Sequence, residues 1–236
     1  AQAEYFIVNA AECEPLIETD KYLCRTFADQ IVEAITATAA HIGASRKVIA
    51  LKGKYKEEIA SLKAAIDRAH ADIEIFEMPT FYPAGDEQTM VQMVTGRSVP
   101  ERGLPLDVGA VVDNVGTMLN LYEALHGAPV TEYLSVVGEV KEPIMLKVPI
   151  GTPVTECIAA AQPTISDYAV ILGGPMMGKI PADDKSKVQA GIDKLKEVLK
   201  GTDTAAIKTA TDELPQAFYA VSEKLYQQAN PQGAQG

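Results

Sequence analysis

Three short polar segments carry the residues best suited to chemistry, and each lies between a predicted strand and a predicted helix. The first, NAAECEP, places the carboxylates of Glu12 and Glu14 two residues apart, directly after a strand. Ligands of open α/β sheets bind beyond the carboxyl ends of the strands, where such carboxylates can bond ribose hydroxyls or line a redox pocket. The alternative is a solvated acidic turn that binds nothing.

The second segment, YPAGDEQT, combines an aromatic ring with two carboxylates at a predicted helix start. The face of Tyr82 can stack on a nucleotide. Asp86 or Glu87 can bond sugar hydroxyls, and an acidic side chain there disfavours the 2′-phosphate that distinguishes NADPH from NADH. The same carboxylates are also explained as ordinary helix caps, because the helix dipole favours negative charge at the N-terminus.

The third segment, DNVGT, places Asn114 and Thr117 at another helix start. Free backbone N–H groups there, together with the amide and hydroxyl side chains, suit a phosphate or a flavin carbonyl. The alternative is a simple N-cap by Asn114. Since all three segments follow strands, we expect them to converge on one edge of a sheet.

Alternating strand and helix patterns over residues 1–127 predict the scaffold for these segments. Apolar residues at spacings of three and four predict the helices, including one helix from Tyr22 to Ala39 that ends at Gly43. The pattern is typical of an α/β fold with a mainly parallel sheet flanked by helices. The predicted strands are residues 5–8, 48–51, 73–76 and 110–112.

The pattern changes after residue 127. A strand pair, a short helix and a further strand predict a small β-grasp module over residues 128–180. A helix hairpin is predicted over 181–226, followed by a polar, disordered tail over 227–236. The predicted elements of the β-grasp module are residues 134–140, 145–150, 154–161 and 168–172.

Composition excludes several classes of protein. The 236 residues carry a formal charge of −11, so a nucleic-acid-binding surface is not expected. No run of 18 apolar residues occurs in the sequence, so we expect no membrane-spanning helix. The 3 cysteines are far apart and include no CxxC pair, so neither a disulfide framework nor a metal or iron–sulfur site is expected, and a cytoplasmic location is favoured.

Taken together, VNAAECEP, YPAGDEQTMVQMVTGR and LPLDVGAVVDNVGTMLN resemble the C subunit of Rnf-type electron-transport complexes. That family is related to the NADH- and FMN-binding subunit of respiratory complex I. The following VVGEVKEPIMLKVPIGTPVTECI is similar to the family's soluble-ligand-binding β-grasp module, so the resemblance covers about residues 4–180. It implies an NADH-dependent oxidoreductase that accepts hydride through FMN and passes electrons to iron–sulfur centres, alongside other subunits on the inner face of the cell membrane.

The resemblance also implies roles for seven residues of the three segments. Glu12 and Glu14 would line the flavin and nicotinamide pocket, Tyr82, Asp86 and Glu87 would face the nucleotide, and Asn114 and Thr117 would hold the flavin. The family's glycine-rich flavin-phosphate loop and its cysteine-rich iron–sulfur motifs are both missing from this sequence. We therefore expect an internal fragment of the family with incomplete activity.

Residues 181–236 resemble the C-terminal lid helices and tail of a DnaK-type chaperone. A chimaera of the two families is the simplest account of this combination. It leaves open an alternative function, a non-enzymatic binding or chaperone-lid-like module whose apolar helix faces contact a partner. A third interpretation is that the hairpin only packs on the sheet domain.

Overall fold

The computed structural model of the protein describes residues 3–129, 131–166, 168, 170–174, 176 and 178. The predicted helix hairpin and tail, residues 181–236, lie outside the described residues. The elements of the described part are, in chain order, β1 (Tyr5–Asn9), α1 (Thr19–Thr26), α2 (Ala28–Ile42), β2 (Arg46–Lys52), α3 (Lys56–Ala69), β3 (Glu74–Met78), α4 (Glu87–Thr95), a 3-10 turn (Pro105–Val108), β4 (Ala110–Asn114), α5 (Val115–Leu125), β5 (Thr131–Val136), β6 (Ile144–Pro149) and α6 (Val154–Ala160).

The first four strands form one parallel sheet in the order β3–β2–β1–β4, which confirms the predicted α/β fold. β1 is therefore an inner strand with a neighbour on each side. At its carboxyl end Asn9 lies opposite Ala50 of β2 and Asn114 of β4. The polar segments that follow β1 and β4 consequently begin side by side.

Helices cover both faces of this sheet, because successive β1 side chains point to opposite sides. Phe6 and Val8 pack in one apolar cluster with residues of α1, α2, α3 and α5. Ile7 packs in the other cluster with Met90 and Val91 of α4. All of these side chains are buried, and full burial of one of this size stabilises the fold by about 1.5–3 kcal/mol.

The predicted single helix from Tyr22 to Ala39 is wrong, because the chain forms α1 and α2 with a break at Phe27. Phe27 has φ −123° and ψ 31°, outside the helical range. Its ring packs 5.3 Å from the ring of Tyr133 of β5, centroid to centroid. The apolar spacing continues through the break, so periodicity alone does not reveal it.

The chain divides into two compact units. The first contains residues 1–13, 17–135 and 145–152, and thus the parallel sheet and most of β5 and β6. In the first unit Glu123 of α5 accepts hydrogen bonds from Thr131 of β5 and from Lys147 of β6, at 2.9 and 2.6 Å. These contacts attach the two-stranded β5–β6 sheet to α5.

The second unit contains residues 14–16, 136–144 and 153–236. Among its described residues are α6 and an isolated antiparallel bridge between Val140 and Pro163. The strand predicted over 168–172 is not formed by its described residues, of which Leu172 alone is in a bridge. The domain boundary predicted after residue 127 stays a prediction.

Candidate functional site

The last residue of β1 and the loop after it, residues 9–13, contact both of the other polar segments of the first unit. The side-chain amide of Asn9 donates to the carbonyl of Gly85, at 2.9 Å. Its oxygen accepts from the backbone N–H of Ala11, at 3.0 Å, which fixes the turn. On the other side, the Asn114 amide lies 3.5 Å from the Asn9 carbonyl. The three segments therefore meet at the carboxyl end of β1, as the sequence predicts.

Glu12 is held in this loop by residues at and beyond the end of β2. Its carbonyl accepts from the ammonium group of Lys52, at 2.8 Å, and from the hydroxyl of Tyr55, at 2.9 Å. Lys52 is buried, so its ammonium group lies inside the protein rather than in solvent. The Glu12 carboxylate accepts from the backbone N–H of Asp20, at 3.3 Å. The backbone of Glu12 is thereby fixed, while its carboxylate faces the start of α1.

Cys13 and Gly85 bring the first two segments into close contact. The N–H of Gly85 donates to the Cys13 sulfur at 2.9 Å, and the thiol donates to the Ala11 carbonyl at 3.1 Å. A Cβ atom at position 85 would lie 3.1 Å from both the Ala11 oxygen and the Cys13 sulfur. Only glycine fits there without displacing a neighbour.

Asn114 and Asp20 form the opposite side of the site. Asn114 is the N-cap of α5, because its side-chain oxygen accepts from the N–H of Gly116 at 2.7 Å. Its amide group donates to the Asp20 carboxylate, at 3.2 Å. A pocket of about 60 Å³ opens beside them, and it is lined by Thr19, Asp20, Leu23, Asn114, Gly116, Asn120, Glu132 and Tyr133.

The Asp20 carboxyl is electrostatically unusual. Burial, and then the nearby Glu12 carboxylate, raise its pKa to about 7, while the hydrogen bond from Asn114 acts in the opposite direction. Burial and several neighbouring acidic groups also raise the pKa of Tyr55, to about 12. Groups with perturbed pKa values are common at functional sites, which makes this edge of the sheet a candidate site.

The comparisons with known proteins match this part of the chain. Residues 1–123 match the family model of the Nuo51 FMN-binding domain, the Complex1_51K family. The chain belongs to this family. Residues 133–179 of the Nuo51-family chain match a second family model, the SLBB domain. Neither model reaches residues 181–236, so the resemblance of that segment to chaperone lid helices, and the chimaera it implies, stay predictions.

Two relatives of the Nuo51-family chain have names that bear on function. It is 42% identical over 181 residues to the cobalamin reductase PduS of Citrobacter freundii, which covers 75% of this chain and 40% of the relative. It is 35% identical over 176 residues to the C subunit of the ion-translocating oxidoreductase complex of Pseudomonas aeruginosa, covering 73% of this chain and 22% of the relative. The chain thus spans less than half the length of these curated relatives.

Solved structures agree on the fold. An NAD⁺-reducing [NiFe]-hydrogenase, in its air-oxidized state, superimposes with a TM-score of 0.64 at 23% sequence identity. The match covers 74% of this chain and 35% of the hydrogenase chain. At this level of identity the likeness shows a shared fold.

The predicted site residues of the Nuo51-family chain fall into different positions. Asn114 lines the pocket, and Glu12 contacts Asp20 beside it. Thr117 is half-buried in the first turn of α5. Glu14 belongs to the second unit, where its carboxylate accepts from the N–H of Met176 at 2.8 Å.

The three residues predicted to face a nucleotide lie at the start of α4. Asp86 is its N-cap and accepts from the N–H of Thr89 at 2.8 Å, so the capping explanation is correct for this residue. Tyr82 is 45% exposed, and Glu87 is also exposed. Their contact with a nucleotide stays a prediction.

Four residues that sequence reasoning missed organise this edge of the sheet. Asn9 had a signal, since it is the polar residue at which a predicted strand ends, and Gly85 stands within the YPAGDEQT segment. Lys52 and Asp20 had none, because their roles depend on how β2 and α1 pack. Over the described part of the chain, no helix is long and apolar enough to cross a membrane, and no three metal-binding side chains cluster.

Proposed function

We propose that the Nuo51-type domain of this chain binds FMN at the carboxyl ends of β1 and β4 and works as the NADH-oxidising part of an electron-transport flavoprotein. The observation that carries the proposal is the meeting of the three strand-to-helix segments at Asn9, within residues that match an FMN-binding family. A parallel sheet binds its ligands at this edge.

The side chains present fit a flavin mononucleotide. Glu12 and Asp20 supply carboxylate acceptors for hydroxyl groups, and the N-terminus of α5, which Asn114 caps, supplies a dipole that favours a phosphate. The pocket, at about 60 Å³, is smaller than the roughly 300 Å³ or more of typical ligand pockets, so the cofactor would extend beyond it along the strand ends. A bound flavin supplies the hydride-accepting and single-electron-donating chemistry, and the protein positions it.

The Tyr82–Glu87 segment is our candidate for the dinucleotide. Gly85 of this segment accepts from the side-chain amide of Asn9 and donates to the sulfur of Cys13, and these hydrogen bonds hold the segment against the loop that carries Glu12. The exposed carboxylates at the start of α4 would disfavour a 2′-phosphate, so we expect NADH to be preferred over NADPH.

The flavin must pass its electrons to an acceptor. The 236 residues contain no CxxC pair, so we do not expect them to hold an iron–sulfur cluster as that acceptor. The relatives support a redox partner of this kind, since one is named a cobalamin reductase and another a subunit of an ion-translocating oxidoreductase complex. We therefore propose that the acceptor lies on a further segment or partner subunit of a membrane electron-transport complex.

The test is a titration of the purified chain with FMN, followed by NADH under anaerobic conditions. We expect quenched flavin fluorescence on binding and bleaching of the bound flavin by NADH, with a weaker effect of NADPH. Asn114→Ser keeps an N-cap acceptor for α5 but removes the amide donor, so it should weaken FMN binding about tenfold, which corresponds to roughly 1.4 kcal/mol.

Asp29→Asn serves as the matched control, because Asp29 is an exposed carboxylate on α2 that pairs with Arg68 at 2.7 Å. It should bind FMN like the unmodified chain. A chain that binds no FMN, or an Asn114→Ser variant that binds it with unchanged affinity, would contradict the proposed site.

A further inference from the structure

We propose that Asp20 is a positioning residue of the flavin site, which orients Asn114 and Glu12 and makes cofactor affinity depend on its own ionisation. This inference rests on the proposed function, because it concerns the same pocket. Asp20 belongs to none of the three polar segments. Its place at the start of α1 nevertheless brings it between two of them.

The geometry gives Asp20 two different contacts. Its carboxylate accepts from the amide of Asn114, and its backbone N–H donates to the carboxylate of Glu12. With its nitrogen directed to Asp20 and its oxygen accepting from Gly116, the Asn114 amide has one orientation. Asp20 thus contacts both Asn114 and Glu12, and together with Asn114 it lines the pocket.

The groups around Asp20 decide what happens when it ionises. Glu12 faces it from the loop after β1, and Glu132 of β5 lines the same pocket. Tyr55 and Cys24 also interact with Asp20 electrostatically. Burial is the main cause that raises the pKa of both groups, so neither group is ionised near neutral pH. Ionised Asp20 therefore adds a negative charge to an acidic pocket.

The Asn114 amide is the donor that faces Asp20, and the cations nearby are engaged elsewhere. Lys52 donates to the Glu12 carbonyl, Lys21 pairs with Glu18, and Arg25 donates to Glu58 at 2.7 Å. Since FMN carries a negatively charged phosphate, its binding should favour the protonated form of Asp20. Affinity should consequently fall as the pH rises through the pKa of about 7.

The size of this effect follows from linkage. If bound FMN raises the pKa of Asp20 by one further unit, the apparent dissociation constant rises roughly fivefold between about pH 6 and about pH 8. FMN's own phosphate also titrates near about pH 6, so the measurement must isolate the contribution of Asp20. Asp20→Asn does this, because it keeps an acceptor for Asn114 and removes the ionisation.

The experiment measures FMN dissociation constants by fluorescence quenching across this pH range, with riboflavin as the phosphate-free comparison. We expect Asp20→Asn to match the unmodified chain at the acidic end and to bind severalfold more tightly at the alkaline end. Asp20→Ala removes both the charge and the acceptor for Asn114, so it should bind FMN more weakly than Asp20→Asn at every pH. Glu18→Gln is the control, since it removes an exposed carboxylate two residues away and should leave the pH profile unchanged.

A second measurement does not need the cofactor. The side-chain amide NMR signals of Asn114 in the free protein should shift with a midpoint near the pKa of Asp20, about 7, and should lose that transition in Asp20→Asn. If FMN binds but Asp20→Asn keeps the original pH profile, the role of Asp20 is refuted while the flavin site stands. If no FMN binds at any pH, the proposed function itself fails, and an Asn114 signal without a transition near neutrality refutes the positioning role independently.

Discussion

Asp20→Asn should stabilise the protein at neutral and alkaline pH, because the native structure opposes ionisation of this carboxyl. Its pKa rises from 3.8 to about 7 on folding, mainly through burial and then through the Glu12 carboxylate. A raised carboxyl pKa gives stability that is fully present below the unfolded value and is lost as the pH rises through the folded value. The shift of about 3 units corresponds to at most roughly 4 kcal/mol at high pH.

Most of this loss falls in an accessible window. By linkage, roughly 2.5 kcal/mol of it develops between about pH 5 and about pH 8. Asp20 is half-buried rather than fully enclosed, so we expect solvent relaxation to reduce the measured difference to about 1–2 kcal/mol. The assay is urea unfolding of the full chain and of Asp20→Asn at both pH values.

The comparison needs only the change with pH, so the effects of all other carboxylates cancel between the two proteins. Asp29→Asn is the control, because the surface pair of Asp29 with Arg68 should contribute about 0–1 kcal/mol. If Asp20→Asn gains no stability over the unmodified chain on going from acid to alkaline pH, the folded structure does not oppose ionisation of Asp20, and the electrostatic description of the pocket is wrong.

Three further predictions concern contacts outside the Asp20 carboxyl. Gly85→Ala places a methyl group 3.1 Å from the Cys13 sulfur and should displace the segment that we propose for the dinucleotide. NADH affinity, measured by titration, should therefore fall severalfold. An unchanged affinity would show that NADH binding does not depend on this close contact. A small thiol reagent should modify half-buried Cys13 well before buried Cys24, whose pKa burial raises; equal rates by mass spectrometry would contradict this order. Lys147→Met leaves the buried carboxylate of Glu123 without its cation. Because Lys147 itself is half-exposed, the free energy of unfolding should fall by about 1–3 kcal/mol, less than for a fully buried pair. Unchanged urea unfolding would show that this pair does not stabilise the fold.

The convergence of the three polar segments was predictable because parallel strands end at the same edge of a sheet. Once strands were assigned before Asn9 and before Asn114, their carboxyl ends had to be neighbours if the strands paired. The apolar strand patterns and the helix-cap residues supplied this assignment. They act over short sequence distances, which is why the sequence reveals them.

Other features depend on packing that no local pattern encodes. The break at Phe27 keeps the apolar spacing of one helix, and the aromatic contact with Tyr133 involves a strand about a hundred residues away in sequence. Glu12 and Glu14 share a motif, yet the chain places them in different compact units. Asp20 carries no motif, and it meets Asn114 only because α1 packs beside α5.

Carboxylates in the scaffold and at the candidate site differ in the groups that face them. In the scaffold, buried Glu58 receives the guanidinium of Arg25, and buried Glu123 receives the ammonium group of Lys147. At the strand ends, Asp20 instead faces an amide and a second carboxylate, and its ionisation is opposed by the fold. If Asp20 served only to hold the structure, the fold would be more stable with a cation beside its carboxylate or with a neutral side chain of the same shape in its place. Because Asp20 lines the pocket, we expect a group bound there to change the balance between its two protonation states.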